Sequence, residues 1–183
     1  MNAVAAIVRA RRRRTILVAA VLAIAALAAA LSQAGPASAC APVPNCLLPN
    51  GAYEFTVPLS GAAQSATGLP GDPSASGTAD IMLEEGINQV CSTTSWSGTS
   101  SPVAAGHVHA GASGQPENPA VTISLFNPNP LGVSSPASGC QIVPTPVMQE
   151  IVKCPAQFNV VVHTQNRPWG ALRGQLGSTC TLP

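Results

Sequence analysis

Phe158-Asn-Val-Val-Val-His-Thr-Gln-Asn-Arg-Pro-Trp-Gly-Ala-Leu-Arg-Gly-Gln-Leu176 decides the fold of this 183-residue chain. Its two arms flank Pro168-Trp169-Gly170 and read as short strands joined by a turn. A loop of Thr164 to Gly170 sets His163 opposite Ala171, so that paired residue numbers sum to 334. One face then carries Asn159, Val161, His163, Ala171, Arg173 and Gln175. The other carries Phe158, Val160, Val162, Leu172, Gly174 and Leu176. A slip of one residue would mix the two sets, which is why the split specifies the register of a half-buried hairpin. The same register brings Cys154 opposite Cys180 on the apolar side and predicts a disulfide between them.

Upstream, Gly and Pro recur so often that no helix of three turns fits. Val147 to Val152, between Pro146 and Pro155, is the one helix-compatible window. Period-two alternation marks further strands at Tyr53–Val57, Gly77–Leu83, Gln89–Ser95, Gly106–Ala110 and Ala120–Leu125. Together with the two arms of the hairpin these predict an all-β, antiparallel sandwich or barrel.

The N-terminus reads differently. Arg9 and Arg11 to Arg14 precede an apolar run from Ile16 to Leu31, and Ala37-Ser38-Ala39 forms a small-residue cleavage signal. Residues 1–39 are therefore expected to be a signal peptide, with 40–51 a linker, 52–180 the domain and 181–183 a tail. The general secretory route fits, and Arg13-Arg14-Thr15-Ile16-Leu17 also fits a loose twin-arginine pattern. A secreted or otherwise extracytoplasmic location follows, free or attached to the wall.

Without those residues the formal charge changes sign. Lys153, Arg167 and Arg173 stand against the 7 carboxylates, giving −4 where the whole chain has +1. Three scattered cations on an acidic domain exclude nucleic acid and anionic membrane as natural partners. An unidentified extracellular protein or a small ligand remains as partner. All 6 cysteines follow residue 39, and an even count in an exported chain reads as three disulfides.

The chemistry centres on the 3 histidines. In Gly106-His-Val-His-Ala-Gly111, His107 and His109 share a strand face with Cα atoms roughly 6.6 Å apart, opposite to the core-facing Val108. His163 is likewise on a non-core face. Two imidazoles at this spacing, with a third from a neighbouring strand, suit a mononuclear Cu or Zn ion. The competing reading is surface histidines that only make hydrogen bonds. Asp80 and Glu117 are conceivable further ligands, without support from spacing. Arg173 and Gln175 join the histidines as a tentative binding surface, although an arginine here equally suits loop carbonyls or a carboxylate. No serine lies in a strand-turn-helix elbow, and no glycine-rich loop precedes a helix, so nucleophilic catalysis and phosphate binding have no support.

From about Ala52 to Gly177 the chain resembles the CHRD (chordin-type) domain of exported bacterial proteins. The resemblance lies in Val57-Pro-Leu-Ser-Gly61, Gly71-Asp-Pro-Ser-Ala-Ser-Gly-Thr-Ala79, Gln89-Val-Cys91, Gly106-His-Val-His-Ala-Gly111, Cys140, Val160-Val-Val-His-Thr164 and Gly170-Ala-Leu-Arg-Gly-Gln-Leu176. It implies an immunoglobulin-like β-sandwich or barrel, distantly similar to Cu/Zn superoxide dismutases, with no settled activity. It also implies a Cys91–Cys140 disulfide, which leaves Cys40–Cys46 by subtraction. Ala110 and Cys154-Pro155 depart from the family pattern, where a bulky or basic residue and Asn-Pro are usual. Gly106-His-Val-His109 looks like the copper-binding strand of the dismutases. A bridging histidine and the zinc-loop ligands have no counterpart, which speaks against dismutation. The expected function is a non-catalytic binding or structural module; the alternative is a mononuclear Cu/Zn protein with redox or hydrolytic activity at His107, His109 and His163.

Overall fold

The computed structural model describes residues 45–47 and 51–180. The expected signal peptide, the tail and Cys40 of the Cys40–Cys46 pair lie outside the described residues. Nine strands occur among those described: β1 (Asn45–Leu47), β2 (Ala52–Ser60), β3 (Ser76–Glu84), β4 (Gln89–Ser97), β5 (Val103–Ala110), β6 (Asn118–Ser124), β7 (Ala137–Ile142), β8 (Phe158–Thr164) and β9 (Arg167–Gln175). Every pairing is antiparallel, and the main path runs β6-β5-β8-β9-β2-β3-β4-β7, with β1 on β2. Two four-stranded halves thus face each other. They join at one pair, Ser60 with Arg173, and nearly close at the far side, where the Ser124 N–H donates to the Gln141 side chain at 2.6 Å. The fold is an all-β, nearly closed sandwich. Among the described residues no helix is long and apolar enough to cross a membrane.

Alternation builds the core between these halves. Phe55, Val57 and Leu59 of β2, Ile81 and Leu83 of β3, Val108 of β5, Val160 and Val162 of β8 and Leu172 of β9 all point inward and are buried. Two short helices complete the chain. In α1 (Gly61–Ser65), the Ser60 side chain accepts from the Ala63 N–H, an ordinary N-cap. In α2 (Thr145–Lys153), Pro146 suits the first turn, and Met148 and Ile151 are buried in the core. Cys91–Cys140 links paired residues of β4 and β7, and Cys154–Cys180 ties the entry of β8 to the segment after β9.

The β8–β9 register matches the sum of 334 at Asn159–Gln175, Val160–Gly174, Val161–Arg173 and Val162–Leu172. The expected seven-residue loop is corrected. Strand β9 begins at Arg167, opposite Thr164, and the turn is only Gln165-Asn166. The surplus of Pro168 to Ala171 is absorbed as an irregularity opposite His163, which Gly170 permits by adopting a φ of 121°. The turn is pinned from outside: the Gln165 N–H donates to Pro102 O and the Asn166 N–H to Ser101 Oγ.

A second correction concerns the polar face of this hairpin. It is not open to solvent: Asn159, Val161 and Ala171 are fully buried and Arg173 is 2% exposed. The β5–β6 connection and α1 lie over it. That double burial makes β8 an inner strand on both faces.

A three-histidine cleft

Strand pairing, not sequence proximity, brings the histidines together. His107 pairs with Val161 and Ala105 with His163, so His107 and His163 are diagonal neighbours on one face. His109 follows two residues on, opposite Asn159. The ring centroids lie 4.9 Å (His107–His163), 5.3 Å (His107–His109) and 5.8 Å (His109–His163) apart. One ligand nitrogen from each ring falls within 4.8 Å of the others. Bonds of about 2.0–2.1 Å to a shared ion would set nitrogens roughly 3.4 Å apart in a tetrahedral site.

Backbone carbonyls orient two of the rings. His109 Nδ1 is 2.9 Å from Val121 O on β6, and His163 Nδ1 is 2.9 Å from Pro168 O in the β9 irregularity. A carbonyl can only accept, so Nδ1 of each ring holds the proton and Nε2 keeps its lone pair. Those Nε2 atoms, with His107 Nδ1, are buried and have no hydrogen-bond partner among the described residues. Each orphaned polar atom of this kind costs about 1–3 kcal/mol. Burial, together with the nearby His109, lowers the His107 pKa to about 4. Burial followed by His107 lowers that of His163 to about 4, against a smaller opposing effect of Pro168 O. Both are thus neutral at pH 7, the form in which imidazole binds a metal.

The rings form the floor of an open cleft of about 690 Å³. Its walls include Ala104, Ala105, Pro119, Pro130, Pro168 and Trp169, with Glu117 as the single carboxylate among the described residues. Glu117 belongs to the β5–β6 connection, which the sheet clamps from below. Arg173 Nη1 donates to Glu117 Oε1 at 3.2 Å, and Nη2 donates to Ala112 O at 2.9 Å and Gly111 O at 3.3 Å. Gly111 O also accepts from Asn159 Nδ2 at 2.9 Å and Gln175 Nε2 at 3.1 Å. Burial lowers the Arg173 pKa, while Glu117 raises it again.

Arg173 and Gln175 therefore do not line a binding surface as expected. Their polar groups face the underside of the connection, and only the alternative of an arginine held by loop carbonyls and a carboxylate fits. Asp80 is distant in function too, since it lies on β3 and accepts from Thr56 Oγ1 at 2.9 Å. The residues that orient the rings act through main-chain oxygens (Val121 and Pro168), for which sequence carries no signal. Trp169 had a signal, an aromatic beside the turn; its Nε1 donates to Pro70 O at 2.9 Å, fixing the ring in the cleft wall.

A family model for the CHRD domain matches residues 55–176. The chain belongs to the CHRD domain family. Among curated proteins and solved structures, no relative matches the chain.

Proposed function

We propose that this CHRD domain is an exported, non-catalytic binding module whose ligand is one transition-metal ion, Cu or Zn, held by His107, His109 and His163. The observation that carries the reading is the set of three buried, unpartnered imidazole nitrogens on rings whose ligand atoms lie within 4.8 Å of one another. A site for hydrogen bonding alone would leave those three atoms uncompensated, at about 1–3 kcal/mol each. Coordination satisfies all three at once. Carbonyl partners on the far nitrogens of His109 and His163 are the outer support that metal-binding imidazoles commonly have. When bound, the ion would supply a Lewis-acidic centre with an open position facing the cleft. The paired cysteines and the arginine-rich, apolar N-terminus support a location outside the cytoplasm.

The test is metal analysis of the full chain, produced by export so that its disulfides form. One equivalent of Cu or Zn is expected after dialysis, with loss in His107→Ala and His163→Ala. A wild-type protein that stays empty, or variants that retain the ion, would overturn the reading.

A further inference from the structure

Three protein nitrogens leave a tetrahedral ion one position short. That position opens into the cleft, so the chemistry of the walls decides what completes it. Among the described residues no lysine or arginine lines the cleft, and its walls are mainly alanine, proline and the indole of Trp169, with Thr122, Thr164 and Gln165 as the neutral polar residues. A small anion entering here would meet apolar surface and a carboxylate, with no side-chain cation to receive it. Glu117 is 15% exposed, and its charge is matched by Arg173 through Oε1. An ionised carboxylate has acceptor capacity beyond one such contact, on both oxygens. Glu117 is thus equipped to accept a hydrogen from something in the cleft. Trp169 is 37% exposed and fixed by its bond to Pro70 O, so it offers a flat apolar surface that needs no reordering on binding.

Resting on the three-imidazole site argued above, we propose that the cleft takes a small neutral ligand of the azole class. One nitrogen offers its lone pair to the ion, the N–H on the other side of the ring is accepted by Glu117, and the apolar body lies against Trp169 and the prolines. Azoles combine a lone-pair nitrogen, a donor N–H and a flat uncharged ring. Azide and halides carry no hydrogen for Glu117 and no surface for Trp169. Selection by this cleft is therefore by protic, apolar character and not by negative charge.

The experiment uses the full chain loaded with Cu(II), titrated with 4-phenylimidazole and separately with sodium azide, following the visible absorption of the copper. The expected result is binding of 4-phenylimidazole about ten-fold or more tighter than azide, a difference of about 1.4 kcal/mol. Glu117→Gln and Trp169→Ala should each shrink that margin while copper stoichiometry stays at one. Glutamine retains an oxygen for Arg173, and Trp169→Ala leaves the ion pair untouched, so at least one variant reports on a folded protein. Azide binding as tightly as the azole, or a margin unchanged in both variants, overturns the ligand assignment and leaves the metal site standing. A wild-type protein that takes up neither copper nor zinc overturns both.

Discussion

Arg173→Met tests the claim that the polar face of β9 is a buried clamp. Methionine keeps an unbranched apolar stem but removes the guanidinium. Gly111 O keeps two donors, from Asn159 and Gln175, so its loss is small. Ala112 O loses its 2.9 Å partner but keeps the Gln115 N–H at 3.1 Å, so the cost falls on Glu117, which is left largely buried with no counter-ion. Breaking a buried ion pair from one side costs about 3–5 kcal/mol. The estimate for the variant is therefore about 4 kcal/mol, a large share of the 5–15 kcal/mol typical of a domain. In urea, with a slope of about 2 kcal/mol per M, the midpoint should fall by about 2 M at unchanged slope. Adding Glu117→Gln should return part of the loss, by about 1–2 kcal/mol, because the stranded charge is gone. A single variant that loses under about 1 kcal/mol, or a double variant no better than the single, would refute the clamp.

Gly106 lies against the Phe126 ring, where an added Cβ would come within 2.5 Å of Cε1, so Gly106→Ala should destabilise by about 1–3 kcal/mol in the same urea assay. Replacing Cys91 and Cys140 by alanine opens a link across 49 residues and should cost about 4 kcal/mol, read as a fall in the thermal midpoint. In metal-stripped protein, His107 and His163 take protons near pH 4 when folded and near 6.5 when unfolded. The unfolded chain therefore binds more protons between those values. Stability should be complete above pH 6.5 and decline as the pH falls toward 4, by at most about 1.4 kcal/mol per pH unit for the better-buried His163 and less for His107. Denaturation of the wild type and His163→Gln across that range checks this; equal pH slopes would contradict it.

Much of this arrangement was legible because β structure has a period of two. The alternation in 158–163 and 171–176 specified which residues share a face, and four pairs of the register follow from it. The same parity placed His107 and His109 together. Period alone says nothing of what lies above a face, so the covering of Arg173 and Asn159 was invisible. It depends on the 111–117 connection and on the five residues of α1, which have no pattern beyond small and polar side chains. Strand β7 escaped notice because Pro136 and Gly139 interrupt its stretch, yet Gly139 is where an added Cβ would come within 2.6 Å of Leu125 O. Pro168-Trp169-Gly170 looked like a turn because those residues usually make one; here Gly170 spends its conformational freedom inside a strand.

That displaced kink ties two parts of the molecule that would otherwise be independent. Pro168 lends its oxygen to His163, while the adjacent Trp169 stands in the wall. Because Pro70 O fixes the indole, the same bond helps to hold, through a single peptide link, the carbonyl that aims the imidazole. On the proposed reading, rim and floor would then act as one mechanical unit, with the aim of His163 depending on a fixed Trp169.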